Sequence, residues 1–171
     1  TQEGIDEPTK ANEETLMFSF REWELVSNEN DVIIYRPVFD AATIGLEFLD
    51  NMVELYHGVS KEVVIPSVWN KKEINYIGES SFSTTDVKEV QLPDTIKEIG
   101  NKAFCLCERL NKINLPNNLK TIGSQAFDST HSLENITFNE GIKNINSRAF
   151  EGSGLKEVIL PENIEFIGDN A

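Results

Sequence analysis

From Val87 onward the apolar positions follow neither a helical nor a simple strand period. They repeat at long range. VKEVQLPDTIKEIGNKAF begins at Val87, LNKINLPNNLKTIGSQAF at Leu110, LENITFNEGIKNINSRAF at Leu133 and LKEVILPENIEFIGDNA at Leu155. Ile99, Ile122, Ile145 and Ile167 are spaced 23, 23 and 22 residues apart, and Phe82, Phe104, Phe127 and Phe150 are spaced 22, 23 and 23. A looser first unit, VSKEVVIPSVWNKKEINYIGESSF, starts at Val59. Several independent columns sharing one period mark a stacked repeat, in which no unit can bury its apolar face alone.

Each column has a physical role. In a unit such as Leu110–Ile113–Leu115, the last two apolar residues flank a polar one, as in a strand with one face buried. Proline then ends the strand because it has no N–H for the ladder. Ile96, Leu119, Ile142 and Ile164 return to the core, and Ile99, Ile122, Ile145 and Ile167 plug its middle. Gly100, Gly123, Asn146 and Gly168 follow, residue types that tolerate positive φ, so a left-handed corner is expected there. Ala103, Ala126 and Ala149 suit a crowded inner turn, and Phe104, Phe127 and Phe150 can stack as a spine. The fold class is therefore a mainly β repeat solenoid with parallel strands, short turns and 3-10/helical corners.

Three regions are expected. Residues 1–15 are polar and acidic and read as a flexible leader. Residues 16–58 fall outside the period. Phe18, Phe20, Trp23 and Leu25, then Val32, Ile33, Ile34 and Tyr35, surround the polar run SNEND and read as an N-terminal β cap, with a short helix over 13–25 as the alternative. Residues 59–171 form the solenoid of about 4.5 repeats. The last unit stops at Ala171, one place before the expected Phe, and shows no cap. Either the natural polypeptide continues, or this end packs against another molecule.

The pattern LxxIxLPxxLxxIGxxAF resembles the BspA-like, or Treponema pallidum type, leucine-rich repeat. The resemblance covers about two thirds of the chain. It implies an extracellular protein of a bacterial surface, associated with binding host matrix or cell-surface proteins. The ordinary leucine-rich consensus places Asn two positions before a Leu. Here Thr95, Asn118, Gly141 and Asn163 directly precede the apolar residue, so an asparagine ladder is not expected.

Charge and composition narrow the function. The net charge is -14, which disfavours nucleic acid and anionic membranes, since phosphate recognition needs clustered Lys and Arg. It suits a soluble, monomeric exported protein. No apolar run approaches a membrane span. Cys105 and Cys107 are too close to bridge without strain and are expected as free thiols, Cys107 packed and Cys105 more exposed. His57 and His131 have no partners at metal-ligand spacing, so neither an enzyme nor a cofactor is expected. Asn135-Ile136-Thr137 is a glycosylation sequon.

The concave strand face is the usual ligand surface of a curved solenoid. Its outward columns include Val64, Gln91, Asn114, Thr137 and Ile159 beside Glu62, Glu89, Lys112, Asn135 and Glu157. Gln91, Lys112, Asn114, Asn135 and Thr137 are the candidate binding residues, with Trp69 in the first-unit loop as an anchor if exposed, or as packing on the cap. The face lacks the aromatic and Arg side chains typical of binding hot spots. A protein-interaction or adhesion module is the leading reading, and a structural spacer with no ligand of its own is the alternative.

Overall fold

The computed structural model describes the backbone of residues 16–29 and 32–171, and side chains at Met17 and from Ala42 onward. The leader expected over residues 1–15, and Asn30 and Asp31 of the polar turn, lie outside the described residues.

The chain begins with two long antiparallel strands, β1 (Leu16–Glu29) and β2 (Val32–Thr43). A short hairpin follows, β3 (Leu46–Leu49) and β4 (Met52–Tyr56). The first unit contributes β5 (Glu62–Val64), the small antiparallel pair β6 (Val68–Trp69) and β7 (Lys72–Glu73), and β8 (Tyr76–Ile77). Thereafter come β9 (Glu89–Gln91), β10 (Glu98–Ile99), β11 (Lys112–Ile113), β12 (Thr121–Ile122), β13 (Asn144–Ile145) and β14 (Phe166–Ile167). The capping segment is thus built of strands rather than of the alternative helix.

Two parallel ladders run along the stack. One is short, in the order β11-β9-β5, and carries the expected LxxIxL strands. The other has seven strands, in the order β14-β13-β12-β10-β8-β4-β3. Its registered residues are Val53, Ile77, Ile99, Ile122 and Ile145, all buried, and Ile167, which is exposed and so does not plug the core as expected. The isoleucines read from sequence as core plugs are therefore also the rungs of a second sheet. The hairpin joins that sheet through β4, which pairs parallel with β8, and β3 pairs antiparallel on the outside of β4, so the edge of the first turn is covered.

The aromatic spine is continuous. Tyr56, Phe82, Phe104, Phe127 and Phe150 stack in sequence with ring centroids 4.9–5.2 Å apart. This spacing is close to the separation of neighbouring strands, so one ring per turn fills the column without a gap. Tyr56 extends the spine into the capping hairpin.

Three expectations need correction. First, Gly100, Gly123, Asn146 and Gly168 do not have positive φ. The left-handed residues lie two places later, at Lys102, Gln125, Arg148 and Asn170, with Ser80 before them. A second left-handed column follows at Thr84, Leu106, Ser129 and Gly152. The glycines answer to space instead: a Cβ on Gly100 would lie 2.7 Å from the Ile77 carbonyl oxygen, and one on Gly123 would lie 2.6 Å from the Asn101 nitrogen. Nothing in the structure explains how Asn146 fits the same column.

Second, the corners are not 3-10 or helical, and no helix occurs among the described residues. They are overlapping β-turns. Ala103 N–H donates to Gly100 O, Cys105 N–H to Lys102 O and Cys107 N–H to Phe104 O. Alternate N–H groups turn along the stack instead, as when Lys102, Phe104 and Leu106 donate to Ser124, Ala126 and Asp128. Every other residue bonding to the neighbouring turn prevents the consecutive i→i+3 run that a 3-10 helix needs. Positive φ at the third residue of a turn is what type II geometry requires.

Third, a partial side-chain ladder exists, made of one Thr and two Asn rather than the continuous asparagine ladder of the ordinary repeat. Thr95 Oγ1 donates to Ile74 O (2.5 Å), Asn118 Nδ2 to Asp94 O (2.8 Å) and Asn163 Nδ2 to Glu140 O (3.4 Å). It is broken at Gly141, which has no side chain, and Asn139 Nδ2 donates to Pro116 O nearby. Standing directly before the apolar residue does not prevent these side chains from reaching the carbonyl of the turn below.

Candidate functional site

The three-stranded ladder positions the candidate surface. Val63, Val90 and Ile113 point inward and are buried, so their neighbours must face outward. Glu62, Glu89 and Lys112 stand in one registered row, and Val64 pairs with Gln91 in the next. With Asn114 they line an open depression of about 550 Å³.

Much of the polar capacity of this face is already used. Lys112 Nζ lies 2.8 Å from Glu89 Oε2, and this partner raises the lysine's pKa. Asn114 is tied to the turn below: Leu92 N–H donates to its Oδ1 and its Nδ2 donates to Leu92 O, both at 2.8 Å. The amide thus continues the ladder where the strand has ended. Gln91 and Val64 are exposed and carry no such tie. At the edge of the face Asp86 sits between Lys61 (3.1 Å) and Arg109 (3.7 Å), and both cations hold its carboxyl below the usual range.

The structure brings Gln91, Lys112 and Asn114 together. Asn135 and Thr137 are exposed but lie beyond the hydrogen-bonded ladder, which stops at β11. Trp69 is half-buried and stacks on Phe48 of β3, ring centroids 5.2 Å apart. That contact holds the first-unit loop against the capping hairpin.

The thiols are both free and both buried, so Cys105 is less exposed than expected. Cys107 donates to Phe82 O at 3.0 Å. Thr85 and Thr130, three places after their own phenylalanines as Cys107 is after Phe104, donate to Phe82 O and Phe127 O at 2.7 and 2.8 Å. Cys107 thus occupies a column of small donors that satisfy carbonyls of the spine, a pattern visible in the sequence as Thr85, Cys107, Thr130 and Ser153. Burial raises the pKa of both thiols, and of Cys107 against the opposing effect of Thr85. His131 is exposed, and His57 lies 2.8 Å from Glu47. Among the described residues no group of three His, Cys, Asp or Glu side chains could hold a metal ion, and no helix is long and apolar enough to cross a membrane.

A stack of parallel-stranded turns with one apolar column per position defines a leucine-rich-repeat solenoid. Residues 60–171 match the BspA type leucine rich repeat region in six copies, and the chain belongs to that family. Such repeats serve as protein-interaction modules and are generally not enzymes. Among solved structures the chain is similar to the leucine-rich repeat protein of T. pallidum, with 29% identity and a TM-score of 0.68, covering 70% of this chain and 56% of that one. It is also similar to a leucine-rich repeat protein from Bacteroides ovatus, with 25% identity and a TM-score of 0.62, covering 91% of this chain and 36% of that one. It spans about half or less of the length of these two proteins. No curated protein matches it.

Proposed function

We propose that the chain is an extracellular protein-binding or adhesion module of a bacterial surface, and that it meets its partner on the outward side chains of β5, β9 and β11. The observation that carries this reading is the registered, open face of Glu62, Val64, Glu89, Gln91, Lys112 and Asn114. Side chains on parallel strands are held at fixed spacing, so recognition there needs little ordering of the binder. Two carboxylates with a single lysine in the registered row favour a partner that brings cationic or hydrogen-bond donor groups. The modest apolar content points to a weak or moderate contact, since bulk affinity comes from buried aromatic and Arg anchors.

The test is binding to immobilised matrix proteins and cell-surface extracts, followed by hydrogen exchange on any complex. Protection of residues 62–64, 89–91 and 112–114, lost in a Gln91→Arg/Val64→Glu double variant, is the expected result. Binding that maps to other residues would reject this face. Failure to bind matrix proteins, glycans and cells would favour a spacer, a reading supported by the internal use of Lys112 and Asn114.

A further inference from the structure

The capping hairpin meets the long ladder at a cleft on its outer side. β4, β8 and β10 set Met52, Tyr76 and Glu98 in one registered row, and their neighbours Val53, Ile77 and Ile99 are buried, so the row faces outward. Asn51, Asn75 and Lys97 stand one place earlier, joined from turn to turn as Asn75 N–H donates to Asn51 O and Lys97 N–H to Asn75 O. With the β3–β4 turn these rows line an open cleft of about 360 Å³, inside the range of small-ligand sites, roughly 300–1,000 Å³. The Tyr76 ring reaches from β8 over the following turn: a Cβ on Gly100 would come within 2.7 Å of its hydroxyl oxygen. Tyr56 donates to Ser60 O, but the Tyr76 hydroxyl has no hydrogen-bond partner among the described residues. Glu98, next in the row, is exposed and in no ion pair among the described residues. Asn51 Nδ2 donates to Asn75 Oδ1 at 2.7 Å, which orients both carboxamides and leaves Asn51 Oδ1 open.

We propose that this cleft is a carbohydrate site that takes one neutral sugar ring of a glycan, with the ring's C–H face on Tyr76 and its hydroxyls on Asn51, Asn75 and Glu98. A pyranose joins an apolar C–H face to a rim of hydroxyls, each both donor and acceptor. An aromatic ring offers its negative face to such C–H groups. Leu49 and Met52 add apolar surface beside it, and Leu49 is half-exposed. Two carboxamides and a carboxylate supply the donors and acceptors that the hydroxyls need. Charge selects a neutral ligand. Asp50 is paired with Lys72, and Lys97 with Glu73, so neither sign prevails. An anionic sugar would face Glu98 and a cationic one Lys97, each a like charge at close range. The tyrosine is not required by the stack, because Thr121 and Asn144 hold its position in later turns. The cleft belongs to a different sheet from β5, β9 and β11, and the proposal holds whether or not that face binds a protein.

The experiment is an NMR titration of the isotope-labelled 171-residue chain with glucose, galactose, mannose, fucose, N-acetylglucosamine and N-acetylgalactosamine, each to about 50 mM. At least one sugar should give saturable shifts centred on Asn51, Asn75, Tyr76 and Gly100, with a Kd of about 0.1–10 mM, as a single small contact allows. Tyr76→Thr, which copies Thr121, should weaken that binding roughly tenfold or more, while Tyr76→Phe keeps most of it, because the ring face is the platform. Asn75→Ala should weaken it about threefold or more, and circular dichroism with melting temperature reports that each variant is folded. Glucuronate and glucosamine should bind less well than the neutral sugar of the same ring. The Gln91→Arg/Val64→Glu variant should leave sugar binding unchanged, which separates this site from the protein-binding face. No saturable shift with any of the six sugars, shifts that map elsewhere, or undiminished binding by a folded Tyr76→Thr would each overturn the proposal.

Discussion

Gly123 is a glycine for want of room, not for want of a left-handed backbone. A Cβ there would meet the Asn101 nitrogen and the Gly100 carbonyl carbon at 2.6 Å, atoms that cannot swing aside. Gly123→Ala should therefore destabilise the fold by about 1–3 kcal/mol through overpacking. Leu106 poses the opposite case: it is half-exposed with φ +60°. Leu106→Gly removes the left-handed penalty of a bulky residue and should raise stability by about 0.5–1 kcal/mol. Urea midpoints of the two variants test the assignment of strain, and a stable Gly123→Ala would refute it. Ser81 stands in the alanine column, and its buried hydroxyl has no hydrogen-bond partner in the structure. Ser81→Ala, matching Ala103, Ala126 and Ala149, should stabilise by about 1 kcal/mol in the same assay. At this scale the columns were legible and their causes were not. Gly100, Gly123 and Asn146 tolerate positive φ, yet Lys102, Gln125 and Arg148 are the residues that adopt it, because stacking dictates the turn.

Among the elements, the turn outweighs the strand. Most strands of the stack have two or three residues, too few to persist alone, so each is held by its neighbours and by the spine. Phe127 lies between Phe104 and Phe150 with both ring faces covered. Phe127→Ala should cost about 3–5 kcal/mol, and Phe150→Ala clearly less because that ring is already partly open. Equal losses from chemical denaturation would contradict the spine as the principal packing element. The second ladder escaped sequence reading for a related reason. Two-residue strands such as Thr121–Ile122 show no alternation, and only registered neighbours turn an isoleucine into a rung. Gln91, Lys112 and Asn114 fall on one registered face because β9 and β11 alternate. Asn135 and Thr137 lie beyond that ladder because LENITF has the composition of a strand and lacks the pairing.

For the molecule as a whole, pH and salt should act through burial and charge. The Cys105 and Cys107 thiols and the Tyr56 and Tyr76 phenols all have raised pKa values, with burial the first cause in each. The folded state therefore keeps protons that the unfolded chain releases. Their contribution is complete below about pH 8.5 and is lost as pH rises above it. Urea midpoints should fall between about pH 8.5 and pH 11 while staying level just below that range. In the native protein neither thiol should react with a thiol reagent at neutral pH faster than the chain opens, since reaction needs an exposed thiolate. Rapid labelling of Cys107 would show that its column is not closed. A net charge of -14 is self-repelling, so moderate salt should raise the melting temperature.

The sequence by itself determined the repeat, its length, the buried columns and the aromatic spine. These are consequences of periodicity, and a repeating apolar pattern has few ways to be buried other than against its own copies. Tertiary structure decided what depends on the separation of neighbouring turns. Only there does a glycine prove to be needed for close approach, a core isoleucine become a sheet rung, and a threonine or asparagine reach the carbonyl below. Distances between turns are properties of the stack, and no single unit contains them.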